Sequence, residues 1–376
     1  MSAPTCETTD PGTVRSIART LRLGTRRSAL ATTQSSWVAQ CLRDLGQEVE
    51  LVEITTVGDL SREPLTAIGG SGVFAAAIRR ALLDGEIDLA VHSLKDLPTQ
   101  PEPGLVVAAT PQREDSRDAL VARDGLTLGE LPEGAVVGTG SPRRAAQLRA
   151  LGLGLDVRAV RGNVDTRIAL VHSGRCDAVV LARAGLARLD RLSEVTETLD
   201  PLQVLPAPGQ GSLAVECRSD RTDLVALLAR LDHADTRAAV TAERALLAAL
   251  EAGCTAPVGA LAEVVEGDDG VELSLRAFVG SEDGAVELRR SAVGPLDDPV
   301  GLGRRLAAVL LEDGAAELTG RPDSAAPTSP ASPVSPVSPV SPPGARPLGL
   351  PDGTPSGGSP RDDHPATPRH TPEQAQ

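Results

Sequence analysis

The stretch Val-His-Ser-Leu-Lys-Asp-Leu-Pro at residues 91–98 indicates how this chain is organised. It follows an apolar run, residues 87–91, which predicts a buried strand, and Pro98 cannot continue a helix or a strand ladder. Lys95 and Asp96 therefore stand side by side where a strand ends. In open α/β sheets, ligands bind outside the carboxyl ends of the strands. The alternative is an exposed lysine beside an exposed aspartate.

Lys95 is the only lysine of the chain, and all of its other strongly basic residues are arginines. A guanidinium group is a planar fork, whereas an ammonium group is a compact point charge. We therefore interpret Lys95 as a position that requires the compact cation.

Composition limits the possible functions. With no Tyr, one Trp and two Phe in 376 residues, tyrosine chemistry is excluded and aromatic stacking of bases nearly so. The net charge of −14 argues against a general nucleic-acid or membrane binder. Five scattered cysteines without a Cys-x-x-Cys pair, and no signal-peptide pattern, predict a soluble cytoplasmic protein with reduced thiols.

The first part of the chain has the pattern of an α/β unit. A short strand from residue 21 leads into a helix over about residues 28–45, with Arg26 and Ser28 near its N-terminus. Helix N-termini attract anions, although a capping serine beside an exposed arginine is the plainer alternative. A strand over residues 49–57, a glycine-rich lid or connector and a helix over residues 74–83 follow.

A short internal repeat indicates a second, similar unit. Residues 85–91 (Gly-Glu-Ile-Asp-Leu-Ala-Val) resemble residues 174–180 (Gly-Arg-Cys-Asp-Ala-Val-Val), and both lead from an amphipathic helix into an apolar strand. The repeat predicts two α/β domains of similar construction.

Arginine is concentrated in this second unit. Residues 138–144 and 160–167 both have the pattern of a strand-to-helix turn, and Arg188 follows another strand. Arginine binds carboxylate or phosphate through two parallel hydrogen bonds, so cations at successive loop ends predict a polyanion site. Ordinary solvated charge is the alternative.

The remaining chain predicts a crossing segment at residues 205–211, a strand at residues 213–217 returning to the first unit, and a small α+β unit. A helix from Asp235 is expected to end at Gly253 as its C′ residue, directly before Cys254. The predicted divisions are an N-terminal extension (1–20), domain 1 (21–112 and 212–230), domain 2 (113–211), domain 3 (231–320) and a disordered Pro/Ser-rich tail (321–376).

The chain resembles the porphobilinogen deaminase, or hydroxymethylbilane synthase, family over about residues 20–320. The matching segments occur in the family's order, and they are residues 25–28, 91–98, 138–144, 161–167, 205–211, 216–218 and 253–254. No histidine spacing for zinc and no Gly-x-Ser-x-Gly elbow competes with this assignment, and we expect no metal.

The resemblance implies a fold class and an activity. The expected fold is α/β, with two periplasmic-binding-protein-like α/β domains, a small α+β C-terminal domain and a disordered tail. The implied enzyme is a transferase of porphyrin and haem biosynthesis that joins four porphobilinogen molecules head to tail and releases ammonia, giving hydroxymethylbilane. A monomer without nucleic-acid or membrane partners is expected.

The resemblance also implies roles for individual residues. Asp96 would be catalytic, and a dipyrromethane cofactor would be attached through a thioether to Cys254. The other cofactor-binding residues would be Lys95, Thr139, Ser141, Arg143, Arg144, Gln210 and Gly211. The substrate-binding residues would be Arg26, Ser28, Gln34, Arg161, Arg167 and Arg188. Lys95 would help keep its pair with Asp96 ionised.

Two positions depart from the family pattern. Ser71 stands in the glycine-rich loop where the family often has lysine, so a carboxylate contact from that loop is in doubt. Asp165 places an acid between Arg161 and Arg167, which we expect to weaken anion binding there.

Two other functions fit parts of the pattern. A non-catalytic small-anion binding protein could use the same two-domain cleft, but it leaves Asp96 and Cys254 without a role. A Schiff-base enzyme could use Lys95, and it would be inactivated by borohydride in the presence of a carbonyl substrate.

Deletion of residues 321–376 should leave the melting temperature and the activity unchanged, because this composition cannot bury an apolar core. Thermal unfolding and turnover of the truncated and full-length chains test this directly. A large loss in either quantity would show that the tail docks on the folded part.

Overall fold

The computed structural model describes residues 17–55, 72–252, 256–267 and 270–319. The strands are β1 (Leu21–Arg26), β2 (Val49–Ile54), β3 (Leu89–Ser93), β4 (Leu105–Ala109), β5 (Asp118–Ala122), β6 (Val136–Thr139), β7 (Asp156–Ala159), β8 (Ala178–Ala182), β9 (Glu197–Thr198), β10 (Leu213–Arg218), β11 (Val258–Gly267), β12 (Gly270–Gly280) and β13 (Glu287–Pro295). The helices are α1 (Ala29–Asp44), α2 (Gly72–Leu83), α3 (Pro142–Ala150), α4 (Val164–His172), α5 (Arg183–Arg188), α6 (Thr222–Leu228), α7 (Ala234–Ala249), α8 (Pro299–Glu312) and α9 (Ala315–Thr319).

Three sheets organise these elements. The first has the strand order β2-β1-β3-β10-β4, and the second has the order β7-β6-β8-β5-β9. In both, three parallel strands precede an antiparallel fourth strand. The third sheet, β11-β12-β13, is antiparallel and packs on α7 and α8. The predicted fold class of two α/β units and a small α+β unit is confirmed; the tail lies outside the described residues.

The internal repeat has a structural cause. Asp88 precedes β3 and accepts a hydrogen bond from the backbone N–H of Arg22 on β1 at 2.9 Å. Asp177 precedes β8 and accepts one from the N–H of Val136 on β6 at 2.7 Å. Each aspartate also donates its own N–H to the carbonyl of the same residue, at 2.8 Å in both cases. The shared aspartate therefore ties β3 to β1 in the first sheet and β8 to β6 in the second.

The chain passes between the first two sheets twice. Residues 110–117 connect β4 to β5, and residues 199–212 connect β9 back to β10, which pairs with β3 and β4. The strand predicted at residues 213–217 thus belongs to the first sheet. Gly211 lies where the connections meet, with φ +88°, and a Cβ there would come within 2.4 Å of the Glu114 carbonyl oxygen. The close approach requires glycine at this point.

A buried carboxylate on α7 holds both connections. Glu243 is fully buried, and it accepts hydrogen bonds from Arg113 at 2.7 Å, from the Gly209 N–H at 2.6 Å and from the Ala262 N–H at 2.8 Å. These partners belong to the first connection, the second connection and the third sheet. One side chain thus fixes the third sheet against the junction of the other two.

The expected end of the helix before Cys254 is wrong. Helix α7 ends at Ala249 with Leu250 as its C-cap, and Glu251 takes the left-handed conformation with φ 50°. Glu251 therefore occupies the C′ position that we assigned to Gly253. Glycine is the residue most often found at the C′ position of a helix, but in this chain a glutamate takes the left-handed conformation there. Cys254 lies outside the described residues.

Replacing Glu243 by Gln should lower the free energy of unfolding by about 3–5 kcal/mol, because the Arg113 guanidinium then loses its buried counter-charge. Urea unfolding measured by circular dichroism gives this value. Glu263→Gln is the matched control, since Glu263 pairs with Arg276 at the surface and should change stability by about 1 kcal/mol or less. Equal effects of the two substitutions would contradict the role of Glu243.

Candidate active site

A cleft of about 750 Å³ lies between the first two sheets. The described residues of its lining include seven basic side chains but only two acidic ones, Asp96 and Asp165, in a chain whose net charge is −14. The basic residues are Arg26, Arg27, Lys95, Arg144, Arg161, Arg167 and Arg188. The cleft is therefore a local concentration of positive charge suited to a ligand with several carboxylates.

Lys95 and Asp96 lie in a 3₁₀ turn, Leu94–Asp96, directly after β3. The Lys95 ammonium donates a hydrogen bond to Oε1 of Gln210 at 3.3 Å. Burial and the nearby Arg144 guanidinium lower the pKa of Lys95 from 10.5 to about 8, although Asp96 opposes the change. Lys95 is therefore charged at neutral pH, but its pKa lies close to neutral.

The first unit contributes the N-terminal end of α1. The Ser28 hydroxyl caps this helix by accepting a hydrogen bond from the Ala31 N–H at 3.3 Å. Ser28 therefore caps the helix and also lines the cleft beside Arg26. Gln34, one turn further, donates to the Ser93 hydroxyl at 3.0 Å and so attaches α1 to the end of β3.

The second unit contributes the N-terminus of α3, where Pro142 is the first helical residue as predicted. Arg144 lines the cleft and donates to Asp118 at 2.7 Å and to the Val180 carbonyl at 3.1 Å. Arg143 is buried behind it, where it binds Asp118 at 2.7 Å and the Leu205 carbonyl.

Asp118 is the functional residue that sequence reasoning missed. It is fully buried at the start of β5 and accepts 2.7 Å hydrogen bonds from Arg143, Arg144 and the Gln210 amide. Burial alone would raise the pKa of Asp118, but the two guanidinium groups hold it well below its ordinary range. No local pattern identifies it, because its partners lie 25 to 92 residues away.

Arg167 and Arg188 are constrained side chains of the same wall. Arg167 donates to the Gly162 carbonyl at 2.9 Å, and Arg188 donates to the Gly211 carbonyl at 2.7 Å. Burial lowers the pKa of each to about 10, and for Arg167 the neighbouring Arg144 and Arg161 act in the same direction. Mutual repulsion of this kind is relieved when an anion binds.

Asp165 lines the cleft and is paired with a cation that does not. Its carboxylate is hydrogen-bonded to the Arg191 guanidinium, which also binds Glu194. Arg191 follows α5 and is absent from the cleft lining, so a cation outside the cleft divides its charge between Asp165 and Glu194.

The structure brings most of the predicted residues together, but not all of them. Ten line the cleft, namely Arg26, Ser28, Gln34, Lys95, Asp96, Arg144, Arg161, Arg167, Arg188 and Gly211. Four are absent from the lining, namely Thr139, Ser141, Arg143 and Gln210, and all of these except Ser141 are buried. Ser141 caps α3, and the Thr139 hydroxyl accepts from the Ser141 N–H at 3.2 Å, so these two shape the turn. Cys254 and Ser71 lie outside the described residues.

Comparison with known proteins agrees with this geometry. Residues 21–226 match the family model "Porphobilinogen deaminase, dipyromethane cofactor binding domain", and residues 237–312 match "Porphobilinogen deaminase, C-terminal domain". The porphobilinogen deaminase of Mycobacteroides abscessus is 61% identical over 306 residues, which are 80% of this chain and 100% of that protein. That of Nocardia farcinica is 61% identical over 303 residues, 79% of this chain and 87% of that protein.

The chain belongs to the porphobilinogen deaminase family. The predicted family, the transferase class and the role in tetrapyrrole biosynthesis are thereby confirmed. The match to the family's cofactor-binding domain supports a dipyrromethane cofactor, and the cationic lining fits such a group, which carries several carboxylates. Among solved structures, lipoprotein Tp32 from Treponema pallidum matches at 14% identity with a TM-score of 0.37, covering 56% of this chain and 89% of its own.

The described ranges hold neither a membrane-spanning helix nor a cluster of metal-binding side chains. None of the helices there is both long and apolar enough to cross a bilayer. Within the same ranges, no group of three or more His, Cys, Asp or Glu side chains is placed to hold a metal ion.

The Lys95 ammonium should titrate near pH 8 in protein refolded without porphobilinogen. Because Lys95 is the only lysine, the Cε resonance of ¹³C-lysine-labelled protein reports it without ambiguity. A lowered pKa means that the proton is lost as pH rises through about 8, so anion affinity should fall above that pH. Added citrate should shift the midpoint upward, since a bound anion favours the charged form. A midpoint near 10.5 would show that Lys95 is solvated.

Proposed function

We propose that this chain carries out the porphobilinogen deaminase reaction with Asp96 as its catalytic carboxylate and with its dipyrromethane cofactor bound through Cys254. The observation that supports the proposal most strongly is the position of Asp96. It shares the cleft with seven basic side chains, and the other acid of the lining, Asp165, is paired with Arg191. Asp96 is thus the carboxylate available to a positive charge that arises within the cleft.

The cationic walls account for binding of the substrate. Each porphobilinogen carries an acetate and a propionate, so a growing chain of pyrroles becomes strongly anionic. Arg26 and Ser28 from the first unit, and Arg161, Arg167 and Arg188 from the second, would bind these carboxylates through charge-assisted hydrogen bonds. A ligand in a cleft between two units can contact both walls. Pyrrole chains of different length can therefore be held in the same cleft.

Lys95 and Arg144 would hold the cofactor's carboxylates, supported from behind by Arg143, Gln210 and Asp118. When bound, the dipyrromethane supplies the terminal pyrrole carbon onto which the chain grows. Cys254 would anchor it through a thioether. In that attachment the sulfur–carbon bond forms as the substrate's carbon–nitrogen bond breaks, and the thiol proton leaves with ammonia. A thioether resists hydrolysis, so the anchor outlasts each turnover.

Asp96 would act on the substrate directly. Departure of ammonia leaves positive charge on the substrate's pyrrole ring and its methylene carbon. A fixed carboxylate in an enclosed cleft stabilises this charge more strongly than water does. The same carboxylate can accept a hydrogen bond from the pyrrole N–H and assist proton transfer to the leaving amine.

Asp96→Asn should reduce kcat by about 100-fold or more, because the amide has a similar shape but no charge to stabilise the cation. Steady-state turnover of porphobilinogen measures this, with circular dichroism as the check on folding. The matched control is Asp165→Asn, which should retain activity within about threefold because that acid is already held in an ion pair with Arg191. Near-normal turnover of Asp96→Asn would refute the catalytic assignment.

The purified chain should be heavier than its sequence by two linked pyrrole units. Trypsin should place that mass on the peptide of residues 245–276, which contains Cys254 as its single cysteine. Cys254→Ala should lack the added mass and be inactive, while Cys176→Ala should keep both mass and activity. An unmodified mass in active protein would overturn the attachment.

A further inference from the structure

The turn that carries Lys95 and Asp96 is attached to helix α7 of the third unit. The Arg244 guanidinium donates to the Leu97 carbonyl at 2.9 Å through Nη1 and to the Pro98 carbonyl at 2.6 Å through Nη2. A longer bond of 3.4 Å reaches the Leu94 carbonyl. The three carbonyls flank Lys95 and Asp96 on both sides in sequence.

Apolar packing supports the same attachment. Val240, one helical turn before Arg244, belongs to a buried cluster with Leu94 and Leu97. The turn itself has a single 3₁₀ hydrogen bond, from the Leu97 N–H to the Leu94 carbonyl at 3.1 Å. Hydrogen bonds from a charged donor are about twice as strong as neutral ones. The contacts from α7 therefore contribute much of what fixes the turn.

Arg244 is separated from the cleft by the turn it holds. It is absent from the cleft lining and borders a second cavity, of about 510 Å³, on the other side of the turn. Among the described residues, the contacts that connect Arg244 to the cleft therefore run through the backbone of the turn.

We infer that Arg244 is a positioning residue that sets the placement of Asp96 and Lys95 from the third unit. The inference rests on the proposed role of Asp96. Its neighbour in sequence, Glu243, binds the Gly209 N–H beside Gln210, so two adjacent residues of α7 fix both segments that form the floor of the cleft. The unit that carries Cys254 thereby also controls the geometry of the catalytic turn.

The test compares Arg244→Met, Arg244→Lys and Arg304→Met in the cofactor-loaded enzyme. Arg304 borders the same second cavity from α8 and makes no hydrogen bond or ion pair within the described part of the chain, so it is the matched control. Arg244→Met should lower kcat about 10- to 100-fold while KM changes less than about threefold, because the catalytic group is misplaced but the arginine walls remain. Arg244→Lys should recover part of the loss, and Arg304→Met should match the wild type.

The Lys95 Cε resonance gives a second reading that does not depend on turnover. It should shift in Arg244→Met, return toward the wild-type position in Arg244→Lys and stay unchanged in Arg304→Met. If the proposed function fails, the wild type itself will not consume porphobilinogen, yet the resonance will still report the turn.

Unchanged kcat together with an unchanged Lys95 resonance in Arg244→Met would overturn the inference. A rise in KM at constant kcat would also overturn it, since that result assigns Arg244 to binding. If Arg244→Met does not fold, Arg244→Lys decides: a normal resonance and kcat in that variant count against positioning by the fork-shaped guanidinium.

Discussion

The pairing of Asp118 with two arginines is the interaction on which the cleft depends. One buried carboxylate faces the guanidinium groups of Arg143 and Arg144, so a positive charge is left over at the base of the cleft. Burying an uncompensated charge is costly, and the excess is tolerated because Arg144 opens onto the cleft. The same excess contributes to the lowered pKa of Lys95. The site therefore has an excess of positive charge before any ligand binds, and a bound anion would stabilise it.

This arrangement links the fold to the chemistry. Two sheets with the same pattern of parallel and antiparallel pairing present the ends of β1, β3 and β8 to a common space, and the crossing connections run beneath it. Gln210 on one connection binds Asp118, Arg144 and Lys95, so it joins the two walls. Glu243 then ties that connection to the third unit. A few buried polar contacts therefore connect the cleft to all three units.

Local patterns predict the parts of the site that depend on local backbone. The strand end before Lys95 and the proline that begins α3 follow from spacing and from the conformational limits of proline. The repeated aspartate, Asp88 and Asp177, was visible as a similarity although its hydrogen bonds were not. The concentration of arginine in the second unit predicted the basic residues that line the cleft wall.

Contacts between distant segments could not be predicted in this way. Arg143 and Arg144 are adjacent in sequence and equivalent as a motif, yet only Arg144 lines the cleft, because neighbouring residues of a helix project in different directions. The ion pair between Asp165 and Arg191 depends on where α5 ends relative to α4. The positive φ of Glu251 shows the same limit, since backbone context outweighs the preference for glycine.

The most direct test of this account is the intact mass of purified Asp118→Asn. Removing the counter-charge should release Arg144 and Gln210 from their positions, so the variant, folded by circular dichroism, should carry no cofactor mass and should not turn over porphobilinogen. Asp115→Asn is the control, because Asp115 pairs with Arg117 outside the cleft lining and should leave the cofactor in place. A fully loaded and active Asp118→Asn protein would contradict the central role of the buried pair.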